Sequence, residues 1–207
     1  MTDKIIEHYN QNADRYCTQY DSIAAEDVHT SWKSIFPHRA IGRALDVGAG
    51  SGRDAHWLAG LGWTVDAVEP ADGLRLYASA NFNSLITWHD DRLPFLGSLI
   101  DQECNYELIL LSAVWMHVPP SSRAAAINNL RIMLAPGGLL VITLRFGPND
   151  KQREMYPVNT QELGQLAFDV GLIQVDIGAL ENSSDQLLRA GVHWKTVVYT
   201  TVNGAIK

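Results

Sequence analysis

The chain has 207 residues, 16 Lys and Arg against 23 Asp and Glu, a formal net charge of −7, and a composition that is 46% hydrophobic and 19% charged. These values suit a single globular domain with a sizeable core, and they offer no basic field that would collect nucleic-acid phosphates, so nucleic acid is not expected as a partner. The start "MTDKIIEHYN" is polar and acidic, and no apolar run approaches the roughly 20 residues of a bilayer span; the expectation is a cytoplasmic protein with no membrane partner.

Residues 2 to about 35 read as helical in two pieces, with Thr2 or Asp3 as N-cap and Pro37 closing the stretch. Tyr9, Tyr16 and Tyr20 are spaced by seven and four, which places them on one helical face. They serve either as packing or as an aromatic lid over an acceptor pocket. Cys17 and Cys104 lie far apart and have no Cys or His at ligand spacing, so they read as reduced thiols, with neither a metal site nor a disulfide.

From residue 43 onward β-type runs alternate with helical ones: "RALDVG" (43–48), "WTVDAVE" (63–69), "LITWHD" (85–90), "YELILLSAV" (106–114) and "LLVITLRF" (139–146). Alternation of this kind predicts crossover units and a mostly parallel sheet covered on both faces. The first run ends in "VGAGSG", at the carboxyl end of a strand where open α/β sheets bind ligands. A dinucleotide fingerprint places glycines first, third and sixth; here Gly48 and Gly50 fit, but the last glycine, Gly52, comes one step early and Arg53 holds the sixth place. That spacing weakens a pyrophosphate reading, and with it a nicotinamide-dependent oxidoreductase. Asp46 either caps the glycine turn or supports the ligand.

Glu69 closes the second strand, where an acidic side chain accepts hydrogen bonds from both hydroxyls of a ribose. Asp90 and Asp91 close the third, where a carboxylate can accept the exocyclic amine of an adenine. A site this acidic suits a cationic nucleoside better than a pyrophosphate. After the fourth strand comes "SAVWMHVPP". His117 is either a general base near an acceptor or a histidine packing at the opening of the next helix, and Trp115 and Met116 read as core or pocket wall. Pro119, Pro120 and Ser121 open that helix and "APGG" ends it. Arg145 ends the fifth strand; with Arg153 and Tyr156 in the following loop it is placed to recognise an acidic acceptor through a guanidinium fork, unless these are ordinary solvated loop residues. Asn159 or Thr160 caps a helix through Phe168 that Gly171 ends, and "LIQVDIGAL" and "WKTVVYTTV" predict a closing antiparallel pair.

Taken in order, "ALDVGAGSGRD", the acid of "VEP", "DDRLP", "YELILLSAVWMH" and "LAPGGLLVIT" resemble the motif series of class I S-adenosylmethionine-dependent methyltransferases over residues 43 to about 145. The resemblance implies a Rossmann-like sheet of seven strands, mostly parallel, with helices on both faces and the last strand antiparallel. It implies S-adenosylmethionine as cofactor, held by Asp46, Gly48, Ala49, Gly50, Gly52, Glu69, Pro70, Ala71, one of Asp90 and Asp91, and Ser112. The acceptor would face Tyr9, Tyr16, Tyr20, Trp115, Arg145 and Tyr156, with His117 catalytic. "HDDRLP" is shorter than the usual pattern, which leaves the choice between Asp90 and Asp91 open.

The expected organisation is one domain over 1–207: a helical lid segment over 1–37, a cofactor-binding core over 38–146, and a C-terminal part over 147–207. The acid-rich charge, and the absence of an Asn/Asp-Pro-Pro-aromatic sequence after the fourth strand, favour a small-molecule acceptor for a monomer or homodimer. The rival of another class is a cofactor-binding or regulatory module without turnover.

Overall fold

The computed structural model describes residues 1–38, 41–100, 105–150, 152–178 and 182–201. Its centre is one sheet of β1 (Arg43–Val47), β2 (Thr64–Val68), β3 (Ile86–His89), β4 (Tyr106–Ser112), β5 (Leu134–Phe146), β6 (Leu172–Val175), β7 (Asn182–Ser184) and β8 (His193–Thr201). The strand order is β3-β2-β1-β4-β5-β8-β6, with β7 also paired to β8. Strands β1 to β5 are mutually parallel and β8 runs antiparallel to β5, β6 and β7. The expected doubly wound sheet with an antiparallel closing strand is therefore present. The order reverses between β1 and β4, and a crevice opens there beyond the strand ends.

Helices α4 (Arg53–Gly60), α5 (Asp72–Ser79), α6 (Gly97–Ile100), α7 (Pro120–Met133) and α8 (Thr160–Asp169) connect the strands. The apolar runs of β1, β4 and β5 alternate their side chains between two layers. Leu45, Ile109, Leu140 and Ile142 join α7 and α8 on one face, while Ala44, Leu108, Leu110 and Val141 join α4 on the other. Asn159 caps α8 by accepting from the amides of Gln161 (2.8 Å) and Glu162, and Gly171 follows that helix at φ +78°.

Two expectations need correction. Helix α7 ends at Met133, and "APGG" lies inside β5, where the register against β4 jumps from Tyr106↔Leu134 to Leu108↔Leu139. Gly137 at φ +73° makes this bulge possible, and a Cβ on Gly138 would come within 2.8 Å of the Tyr106 carbonyl. The N-terminal segment is also more broken than two helices: α1 (Asp3–Gln11), α2 (Ala13–Asp21), α3 (Ala25–Val28) and a 3₁₀ turn over Lys33–His38. Thr2 stands at the N-cap of α1 without a capping bond, its hydroxyl turned to Glu154.

Helices α1 and α2 pack on α5 through Tyr16, Cys17, Ala71 and Leu74, and the Asn10 side chain accepts from the Gly73 amide at 3.0 Å. Cys17 is fully buried, and Cys104 lies outside the described residues. No helix among the described residues is long and apolar enough to cross a membrane.

Candidate active site

A cavity of about 280 Å³ opens at the topological switch point, beneath α1 and α2 and beyond the ends of β1, β2, β4 and β5. Its floor at one end is the turn after β1. Gly48, Gly50 and Gly52 take φ of +72°, +59° and +82°, backbone that other residues adopt only under strain. At Gly48 a Cβ would also lie 2.6 Å from Val114.

Four amides of this turn already have partners within the protein. Gly48 and Ala49 donate to the Val68 carbonyl at 2.8 and 2.9 Å, Gly52 donates to Ala49, and Gly50 donates to a Glu69 carboxylate oxygen at 2.9 Å. The other Glu69 oxygen accepts from the Ala71 amide at 2.9 Å. Glu69 is buried, and burial pushes its carboxyl up to about 7 against the pull of these two amides. Each oxygen still has lone pairs for a further donor, and the residue lines the cavity.

Behind the turn, Asp46 is buried, with the Ala55 amide the one hydrogen-bond donor acting on its carboxyl. Burial, and then the neighbouring Asp54 carboxylate, raise it well above the ordinary range. Burial alone would raise Asp54 too, but His29 and Arg53 overcome this and hold it low.

At the other end lies His117. Its Nδ1 is 2.8 Å from the Glu154 carbonyl, which can only accept, so Nδ1 carries the proton and Nε2 is left as an acceptor. The Tyr9 hydroxyl donates to that Nε2 at 3.0 Å and itself accepts from Arg153 at 3.1 Å. Burial, with the cations of Arg153, the N-terminus and Arg145 adding to it, pushes His117 down to about 4, so the imidazole is neutral.

Of the residues expected from sequence, Gly48, Ala49, Gly50, Glu69, Pro70, Ala71, Ser112, His117, Arg145, Tyr9 and Tyr20 line this one cavity. The others lie elsewhere. Asp46 and Gly52 sit beneath the turn, and a Cβ on Gly52 would press on Ala78 and Trp88. Asp90 is exposed beside Arg75 at 3.5 Å, and Asp91 turns back to the Ser98 amide and hydroxyl at the start of α6. Trp115 is core, its indole facing the Arg123 guanidinium, and its neighbour Met116 takes the place at the wall. Tyr16 is buried behind Tyr9, which belongs to a different helix, so the single tyrosine face does not exist. The three rings meet by folding instead, at 4.9 Å (Tyr9–Tyr16) and 5.8 Å (Tyr16–Tyr20). Arg153 reaches the wall, paired with Asp150 at 3.0 Å, whereas the Tyr156 amide donates to Met116 and its ring stays outside.

Sequence reasoning missed Thr143, Arg189 and Trp194 at the wall. Only Thr143 had a signal, lying two residues before Arg145 on the same strand face.

The family model described as a methyltransferase domain matches residues 11–170. An uncharacterized methyltransferase of Staphylococcus carnosus is 31% identical over 134 residues, which is 63% of this chain and 61% of that protein. The chain matches between 40% and 61% of the length of its curated relatives. Among solved structures, Burkholderia thailandensis 1,6-didemethyltoxoflavin-N1-methyltransferase, bound to its namesake compound and S-adenosylhomocysteine, superposes with a TM-score of 0.69 at 15% identity, over 97% of this chain and 88% of that one. Haemonchus contortus phosphoethanolamine N-methyltransferase 2, in complex with phosphomonomethylethanolamine and S-adenosylhomocysteine, gives 0.71 at 14%, over 98% and 61%. At these identities the likeness speaks for the fold.

Proposed function

The chain belongs to the methyltransferase domain family, and from that premise we propose that it transfers a methyl group from S-adenosylmethionine to an O, N or S atom of a small-molecule acceptor. One observation carries the choice of cofactor. The Gly48, Ala49, Gly50 and Gly52 amides are all turned back onto the chain, so the turn presents a carboxylate rather than a nest of free N–H groups. A pyrophosphate needs the latter, and a ribose diol beside a sulfonium suits the former.

The side-chain-free Gly48 and Gly50, both lining the cavity, fit the same group. Glu69 holds the ribose hydroxyls, and Pro70 and Ala71 flank the base. The cofactor supplies an activated methyl when bound. The protein aligns an acceptor for in-line attack and excludes water, an effect worth roughly 7–11 kcal/mol. His117 Nε2, directly or through the Tyr9 hydroxyl that donates to it, takes the proton the acceptor loses. The segment 1–37 acts as the lid, since Tyr9 and Tyr20 sit on the cavity and Asp21 latches α2 to Ser51 at 2.6 Å.

Small-molecule acceptors bound by the two structural neighbours support the acceptor class. Calorimetry with S-adenosylhomocysteine and NAD tests the cofactor, and methyl-labelled cofactor incubated with metabolite, RNA and protein fractions tests the acceptor. Label in the metabolite fraction and binding of S-adenosylhomocysteine alone are expected. NAD binding without S-adenosylhomocysteine binding, or label confined to RNA or protein, overturns the reading.

A further inference from the structure

Beyond the cofactor end, the sheet face that lines the cavity changes character along β5. Leu139 and Val141 belong to the apolar layer under α4, and strand alternation puts Thr143 and Arg145 on that same face, where both reach the cavity. Across the ladder they stand beside Thr196 and Trp194 of β8. Arg145 is 7% exposed and Thr143 6%, yet Arg145 Nε and Thr143 Oγ1 have no hydrogen-bond partner.

One guanidinium nitrogen of Arg145 donates to the Pro148 carbonyl at 2.9 Å, but no carboxylate pairs with Arg145 among the described residues. The other three cavity arginines are each held, Arg53 by Asp54, Arg153 by Asp150 and Arg189 by Asp185. Burial, then the Arg189 and Arg153 cations, hold Arg145 below its usual range against the opposing pull of Asp185 and Asp150. A buried guanidinium with no carboxylate of its own, with a free N–H and a free hydroxyl beside it, is costly unless a negative ligand completes it.

We propose that the acceptor carries an oxyanion, a carboxylate or a phosphate, that seats on the Nε–H of Arg145 and the hydroxyl of Thr143. The assignment rests on the methyl-transfer reading of the same cavity. It places the anionic group on the β5–β8 wall and the nucleophilic atom toward His117, which lies close enough for Arg145 to bias its protonation.

Calorimetry on the full chain saturated with S-adenosylhomocysteine provides the test, with inorganic phosphate and benzoate as probes and benzamide as the neutral isostere. Phosphate or benzoate is expected to bind and benzamide not to; the stronger of the two anions identifies the source chemistry. Arg145→Gln should weaken the anion tenfold or more, and Thr143→Val, which removes only the unpaired hydroxyl, by several-fold. Both variants should hold S-adenosylhomocysteine within about twofold of the parent, which separates a lost anion site from a lost fold. Anion binding unchanged in both variants, or no anion binding by a parent chain that takes S-adenosylhomocysteine, overturns the proposal. If the parent takes no S-adenosylhomocysteine, the methyl-transfer reading fails by itself and the same titrations are read without it.

Discussion

At the end of the cavity proposed for the cofactor, the groups come from residues 48 to 71 and are set by backbone: three positive-φ glycines and a carboxylate clamped between two amides. At the acceptor end, Tyr9, His117, Arg145 and Arg189 come from α1, the turn after β4, the end of β5 and the segment before β8, and they are set by side chains. The first end carries the Glu69 acid, and the second the Arg145 cation that no described carboxylate pairs. A binding site built from backbone geometry requires particular residues at particular steps, whereas one built from side chains requires only that several elements converge. The first can therefore be shared across a family while the second varies with the acceptor.

The largest expected effect separates the two ends cleanly. His117→Ala should lower kcat by about a hundredfold if the imidazole takes the acceptor's proton, with affinity for S-adenosylhomocysteine nearly unchanged. Steady-state rates with a labelled cofactor, alongside calorimetry, check both halves. A matching loss in cofactor affinity would merge the two ends into one. The neutral imidazole and its fixed tautomer are what fit His117 for the task, since Nε2 already accepts a proton-bearing hydroxyl.

The same contrast decides how much was legible in the sequence. The glycine turn and Glu69 stood out by their place at the ends of two apolar strands, and Gly48, Gly50 and Glu69 line the cavity while Gly52 sits beneath it. Asp90 and Asp91 were alternatives for one place at the cleft, yet Asp91 accepts from the Ser98 amide and hydroxyl in α6, Asp90 lies beside Arg75, and neither lines the cavity. Trp115 and Met116 both read as core or pocket wall, and the 3₁₀ turn Trp115–His117 divides them, putting the indole in the core and the thioether at the cavity. Tyr9 and Tyr16 ended on different helices since the chain breaks at Asn12, where φ is −122° and ψ 22°. Arg189 had no signal of its own; it lies in the connection between the paired strands β7 and β8, held by Asp185 four residues before it.

A smaller effect bears on the acidic end alone. Glu69→Gln keeps the shape but removes the charge that accepts the ribose hydroxyls, and should weaken the cofactor by about tenfold or more, from one or two charge-assisted bonds worth roughly 1.5–3 kcal/mol each. Since the carboxyl titrates near 7 in the free protein and the ligand requires its ionised form, parent affinity should fall as pH drops below about 7. The variant's affinity should lose that dependence. Calorimetry at pH 6 and pH 8 measures it, and an equal pH trend in both proteins would remove Glu69 from the ribose.

The smallest effect sets the two ends against each other through stability. Glu69 is raised from 4.5 to about 7, so its contribution is fully present below pH 4.5 and is lost as pH rises through about 7. His117 is lowered from 6.5 to about 4, so its contribution is present above 6.5 and is lost as pH falls through about 4. Between those limits the two slopes are opposite, each at most ~1.4 kcal/mol per pH unit, and they offset. Glu69→Gln leaves the histidine slope exposed, so stability should rise from pH 5 to pH 6 relative to the parent. His117→Gln leaves the carboxylate slope, so stability should fall over the same interval. Urea midpoints of the ligand-free proteins at the two pH values decide it. Shifts of the same sign in both variants would show that the acidic and basic ends do not titrate as opposites, and the comparison would fail at its electrostatic root.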